Sequence, residues 1–238
     1  MLGVLGGMGP LATADFLAKL VRATPARRDQ DHIPTLVCSA ADIPDRASAI
    51  LGQGPDPLPA MRAALARLEA AGATRIAIPC NTAHHWHAAL QAGTVLPILH
   101  IVDAVADEFA RSGLSGGPVG LLASAGTLRV GLYPERLARR GFTCLSPDPD
   151  GQDAVVAAID RVKAGQVAEA AVILEAQARA LVAAGCRRVV MACTEIPVAL
   201  SEPDDDLAAV MVDATASLAR ACVAACRGDG VALLPLVA

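Results

Sequence analysis

Two cysteines stand at the ends of matching stretches of this 238-residue chain, Cys80 in Ile78-Pro79-Cys80-Asn81-Thr82-Ala83-His84 and Cys193 in Met191-Ala192-Cys193-Thr194-Glu195. A glycine precedes each by eight residues, Gly72 in one copy and Gly185 in the other. Each copy reads as a helix end, a glycine suited to the left-handed position after a helix, a short β-branched strand, and a thiol at the strand's carboxyl end followed by Thr. Thiols so placed suit proton transfer on two faces of one carbon. Inverting a stereocentre beside a carboxylate needs one group to take a proton and a second to return one from the opposite side, which a thiolate and a thiol can do. A helix start after each thiol predicts a pKa lowered from the usual value of about 8.5. Taken singly, a Cys ending a buried strand reads equally well as a small core hydrophobe. The symmetric pair is what favours chemistry.

These thiols need a scaffold, and short apolar strands alternate with helical patterns along the chain. Strands are predicted at residues 2–5, 35–40, 75–79 and 95–99, with helices at 11–23, 58–71, 83–91 and 101–112. The pattern then restarts with a strand at 118–123, a helix at 127–140, a strand at 142–146, helices at 151–164 and 166–184, and a strand at 187–192. This is βαβ grammar, and it predicts an α/β protein with open parallel sheets. Gly3 and Gly120 begin the two halves, 77 and 73 residues before the cysteines. Two similar domains related by a pseudo-two-fold axis are expected, with the active site in the cleft between them, where strand carboxyl ends collect ligands. A last strand near Ala208–Val212 and the helix after it are expected to return to the first domain. That assigns 1–98 plus 208–238 to the Cys80 domain and 99–207 to the Cys193 domain, with crossings near Leu99-His100 and Pro203–Leu207.

Composition narrows the ligand. The chain carries 20 basic and 24 acidic residues for a net charge of -4, without a basic stripe to track phosphates, so nucleic acid is a poor partner. One Trp, one Tyr and three Phe leave few platforms for stacking bases or sugars. A small polar ligand is expected. No run approaches the roughly 18 apolar residues of a membrane span, and the Gly- and Pro-broken start reads as a core strand and its loop rather than a signal peptide. Seven irregularly spaced cysteines point to reduced thiols and a cytoplasmic setting.

Several motifs then converge: Gly6-Gly7-Met8-Gly9-Pro10-Leu11-Ala12-Thr13, Ile43-Pro44-Asp45-Arg46, Ile50-Leu51-Gly52-Gln53-Gly54-Pro55-Asp56-Pro57, Pro79-Cys80-Asn81-Thr82-Ala83-His84, Leu121 to Thr127, Val162-Lys163-Ala164-Gly165 and Cys193-Thr194-Glu195. With these the chain resembles, over nearly its full length, the cofactor-independent aspartate/glutamate racemase superfamily, and most closely its aspartate racemase branch. The resemblance implies that Cys80 and Cys193 are bases on opposite faces of Cα, that no cofactor is needed, that the substrate is a small dicarboxylic amino acid, and that the protein is a homodimer. It places carboxylate handles on Arg46 and Lys163, a bidentate guanidinium and a compact ammonium; spacing alone would leave both solvated. It also implies that the Met8 and Gly9 backbone, Asn81, Thr82, Thr127 and Thr194 bind the α-carboxylate. Gln53 reads as part of a lid or as an ordinary surface turn. Glu195 reads as orienting a thiol or the substrate ammonium, or as capping its helix. Ala192 departs from the Gly usual in the family, and its methyl is expected to bear on the pocket around Cys193.

Rival readings are weaker. Gly7-x-Gly9-x-x-Ala12 fits a dinucleotide fingerprint, but Pro10 follows the second Gly and no acidic residue ends the next strand, Thr35 to Ala40. A two-lobed amino-acid binding protein would share the cleft without needing two thiols. A maleate isomerase of the same superfamily would use both thiols, whereas a decarboxylase needs one. His84, His85 and His87 near Cys80 invite a metal, yet i, i+1 and i+3 on a helix point in different directions, so no metal is expected. Cys222 and Cys226 read as packing residues.

Overall fold

The structure is a computed structural model, and it describes residues 1–201 and 204–228. Of the expected crossing near Pro203–Leu207 only Pro203 lies outside the described residues, as do residues 229–238 of the expected first domain.

The first half runs β1 (Leu2–Gly6), α1 (Pro10–Ala23), β2 (Thr35–Ser39), α2 (Arg46–Ile50), α3 (Leu58–Ala70), β3 (Arg75–Ala77), α4 (His87–Gln91) and α5 (Ile101–Arg111). The second runs β4 (Gly117–Ala123), α6 (Ala125–Arg129), α7 (Leu132–Ala138), β5 (Phe142–Leu145), α8 (Pro149–Lys163), α9 (Val167–Ala183), β6 (Val189–Ala192), α10 (Ile196–Ala199), α11 (Asp205–Ala208), β7 (Met211–Asp213) and α12 (Ala214–Arg227). Two parallel sheets result, ordered β2-β1-β3 and β5-β4-β6-β7. The expected α/β class with paired parallel sheets is what the chain forms.

The twin glycines act as read. Gly72 and Gly185 lie at φ +91 and +92, a region open to a residue without Cβ. Behind them Ala73 N–H bonds Leu68 O at 3.0 Å and Cys186 N–H bonds Leu181 O at 3.1 Å, which closes α3 and α9 with the same Schellman turn and aims β3 and β6 alike.

Three expectations are corrected. The strand at 95–99 shrinks to a single bridge of Ile98 with Ile76. Pro97 lacks an N–H for the ladder, and its carbonyl and the Leu99 N–H make only the two bonds to Ile76. The helix at 127–140 is split into α6 and α7 by Gly131 at φ +63. The tail also divides instead of returning whole to the first domain. β7 pairs in parallel with β6, Val189 opposite Met211, in the place that Ile98 holds in the first sheet. Without β7, the buried edge of β6 would leave backbone groups unpaired. α12 then crosses to pack on α1 and α5.

The two sheets share a core. Leu2, Val4 and Phe16 of the first half join Ile101, Val105 and Phe109 of α5, Val119 and Leu121 of β4, and Leu218 and Val223 of α12 in one buried cluster. Two further clusters back the outer faces, one beneath α3 and one beneath α8 and α9. No described helix is long and apolar enough to cross a membrane.

Candidate active site

Cys80 and Cys193, one from each half, line a single cavity of about 40 Å³ at the carboxyl ends of the strands. Met8 follows β1 and Ser124 follows β4, so the two central strands contribute matching walls. Arg46 reaches the cavity from the first turn of α2, and Ile159 and Lys163 reach it from successive turns of α8. The short α2 escapes the helical pattern of the sequence, but it is fixed by Asp45, whose side chain accepts the Ser48 N–H at 2.7 Å as N-cap. α2 also lies close against α6. A Cβ on Gly126 would sit 2.8 Å from the Ala47 Cα, so only glycine permits that approach.

The surroundings of the two thiols differ. Burial pushes the Cys80 thiol up, while the Arg46 guanidinium and the Ala83 N–H favour its anion. Burial pushes Cys193 up much further, and the Glu195 carboxylate adds to it. Cys193 Sγ–H donates to Glu195 Oε2 at 3.0 Å. The expectation that helix starts lower both pKa values is therefore corrected. A 3-10 turn, Thr82–Trp86, follows Cys80, and α10 after Cys193 has four residues, too few to offset desolvation of the thiolates.

Two buried donors in this cleft, Arg46 Nε and Asn81 Nδ2, have no acceptor among the described residues. Buried polar groups are nearly always paired, and leaving one unmade costs on the order of 1–3 kcal/mol. Arg46 spends one Nη1 on the carbonyls of Ile43 and Pro44, which holds its guanidinium plane. Asn81 accepts the Tyr133 hydroxyl at Oδ1, 2.6 Å away, so its amide N–H groups are turned from Tyr133. Lys163 is half-exposed and pairs with Asp160 at 3.0 Å. Burial works against its charge, but Asp160 more than restores it, and its pKa is raised.

Most of the residues singled out by sequence gather here: Met8, Arg46, Cys80, Asn81, Thr82, Lys163, Cys193, Thr194 and Glu195 line the cavity. Gly9 lies at its edge, with Glu195 Oε1 3.6 Å from where a Cβ would be. Thr127 sits one layer behind, its hydroxyl 2.8 Å from that of Thr82. Gln53 is exposed and does not line the cleft. Ala192 is fully buried in the shared core with Val190 and Tyr133, so its methyl points away from the cavity rather than narrowing it. Among the described residues no group of three His, Cys, Asp or Glu could hold a metal.

A model of the Asp/Glu/Hydantoin racemase family matches residues 5–222. The chain belongs to this family. It is similar to the broad specificity amino-acid racemase RacX of Bacillus subtilis, 25% identical over 227 residues that cover 94% of this chain and 96% of that protein. Its structure resembles an aspartate racemase of Picrophilus torridus, with a TM-score of 0.82 and 29% identity over 94% of this chain and 92% of the other. A glutamate racemase of Bacillus anthracis shares the fold at 14% identity and a TM-score of 0.67, with 97% and 82% covered.

Within this racemase fold, sequence reasoning overlooked Ser124 and Tyr133. Ser124 caps α6 and stands 3.0 Å from the Thr82 hydroxyl and 3.1 Å from that of Thr127, a triangle of hydroxyls joining the halves. The repeat offered a signal for it, since Ser124 follows the strand that matches β1. Tyr133, the single Tyr of the chain, offered none, because its contact with Asn81 spans 52 residues and both halves.

Proposed function

We propose that this protein is a cofactor-independent amino-acid racemase acting on a small dicarboxylic amino acid, aspartate foremost, with Cys80 and Cys193 as paired bases. One observation carries the reading: the thiols, one from each half, share a narrow cavity with two orphaned donors and two cations, Arg46 and Lys163. The charges match the ligand. Two carboxylates need two cationic partners, and Glu195 is left to meet the ammonium.

In this reading the thiolate of one cysteine takes the Cα proton, the electron pair passes into the α-carboxylate, and the thiol opposite delivers its own proton to the other face. Hydrogen bonds from Asn81 Nδ2 and the guanidinium strengthen as charge grows on that carboxylate. Cys80, beside Arg46, is the readier thiolate; Cys193, hydrogen-bonded to Glu195, is the readier acid. Turnover exchanges these states.

The likeness to an aspartate racemase at 29% identity supports aspartate over the longer glutamate. The test is incubation in D2O, without cofactor, with L-aspartate, L-glutamate and neutral amino acids, following optical rotation and deuterium at Cα. Aspartate is expected to lose rotation and gain deuterium fastest. Absence of exchange with every amino acid defeats the proposal, and equal rates across neutral side chains would replace it with a broad-specificity racemase like that named for the Bacillus relative.

A further inference from the structure

The carbonyls of the two cysteines are anchored differently. Behind Cys193 the backbone closes on itself, Ile196 N–H reaching Cys193 O at 3.1 Å. Behind Cys80 a side chain does this work: His84 Nδ1 lies 2.9 Å from Cys80 O. Among the described residues the equivalent backbone donor, Ala83 N–H, makes no bond to Cys80 O, and it favours the Cys80 thiolate instead.

The proton on His84 is placed by its neighbours. Ile101 N–H points at Nε2 from 3.1 Å, and a backbone amide can only donate, so Nε2 must accept. The Leu99 carbonyl, 3.4 Å from the same nitrogen, is the longer contact. Nδ1 therefore carries the hydrogen and donates it to Cys80 O. The ring is buried, and it packs at 4.7 Å from His100 and 6.0 Å from His87, so charging it would place a desolvated cation among imidazoles. His100 in turn accepts Val102 N–H, and His87 Nε2 donates to Ile98 O. His84 thus ties the Cys80 loop to the first turn of α5, which sits in the core common to both halves.

We propose that His84 is a positioning residue for Cys80 alone: its Nδ1–H holds the Cys80 carbonyl and so aims that thiol at one face of Cα. The inference rests on the two-thiol racemase reading above. A misplacement near 1 Å at a reacting group costs about a hundredfold in rate, and His84 has no corresponding hold on Cys193.

The test compares two variants that each keep one half of the imidazole. His84→Asn keeps a donor at the Nδ1 position; His84→Gln keeps an acceptor near Nε2 and loses the donor to Cys80 O. Cα exchange in D2O is measured for each enantiomer separately, and Cys80→Ser identifies which enantiomer Cys80 deprotonates. In His84→Gln, exchange of that enantiomer is expected to fall about ten- to a hundredfold while the other stays within about twofold, and His84→Asn is expected to restore most of the loss. Equal loss on both enantiomers, no loss, or an Asn variant no better than the Gln variant overturns the proposal. Should the Gln variant not fold, a selective loss of the Cys80 half-reaction in His84→Asn overturns it, and retention of both halves supports it. If the parent protein exchanges neither enantiomer, the racemase reading has failed. His84 is then judged by iodoacetamide labelling read by mass spectrometry: a several-fold change at Cys80 in His84→Gln with Cys193 unchanged supports the hold, and parallel changes at both refute it.

Discussion

The Cys80 and Cys193 pockets are built on the same frame and wired in opposite senses. Each thiol follows a strand aimed by a Schellman turn, Gly72 before one and Gly185 before the other. Beyond that the halves part. Cys80 has a guanidinium and a histidine-held carbonyl, whereas Cys193 has a carboxylate that accepts its thiol hydrogen. A repeat thus supplies symmetric positions, and a few side chains after each strand supply the asymmetry, which suits the proposed division into proton donor and proton acceptor.

The comparison breaks most completely at the sulfurs. Cys80→Ser and Cys193→Ser are each expected to reduce racemisation by at least about a thousandfold, since a hydroxyl is a far weaker acid than a thiol. Each should still wash deuterium into one enantiomer, and a different one in each variant. Identical residual exchange in both would show that the pockets do not face opposite sides of Cα.

Gly126→Ala tests whether the halves must approach closely, because the new methyl meets the Ala47 backbone at 2.8 Å. The expected result is a drop in kcat/KM of about a hundredfold, from displacement of α2 and Arg46, with the melting temperature changed by only a few degrees. Tyr133→Phe is milder. It deprives Asn81 Oδ1 of its donor and frees the amide to rotate, and about a tenfold loss in kcat/KM follows from one unmade buried hydrogen bond. Glu195→Gln addresses the wiring of Cys193 directly. Removing a charge that pushes this thiol up, and bonds it directly, should move its alkylation-against-pH curve to lower pH and move that of Cys80, which Glu195 raises only from a distance, by less. Equal shifts of the two curves would mean that Glu195 does not single out Cys193.

A last effect concerns acid and is read in stability rather than in rate. Burial among His87, His100 and Arg136 lowers the pKa of His84 from 6.5 to about 4. As pH falls through 6.5 the unfolded chain binds a proton that the folded chain refuses until about 4. The share of stability that His84 contributes is therefore full above pH 6.5 and falls by roughly 3 kcal/mol across that window, and buried His100, whose pKa is lowered too, adds to the fall. Urea unfolding followed from pH 7 to 4 checks this, and hydrogen exchange should show the Cys80 loop loosening before the Cys193 loop, which has no histidine.

Much of this site was legible because its signals are local. The thiols, Arg46, Lys163 and Asn81 sit in short motifs, and the glycines that stop α3 and α9 announce where the thiol-bearing strands begin. Gln53 is ambiguous in the sequence because glycines on either side suit a lid and a surface turn alike, and in the structure it is exposed and outside the cavity lining. Ala192 misled because adjacency to Cys193 says nothing about direction. Side chains alternate along a strand, and β6 turns this methyl into the core.

The sequence by itself determined the α/β class, the internal repeat and the two thiols, since strand periodicity, turn glycines and residue chemistry act over a few neighbours. Only the tertiary structure decided where the tail strand pairs, which charge stands beside which thiol, and which donors are left without partners. Those outcomes depend on buried edges being satisfied and on contacts between residues far apart in the chain, such as Tyr133 with Asn81 and His84 with Ile101. A pattern read along one chain carries no record of them, because desolvation and hydrogen-bond partnership arise only when the two halves close on a common core.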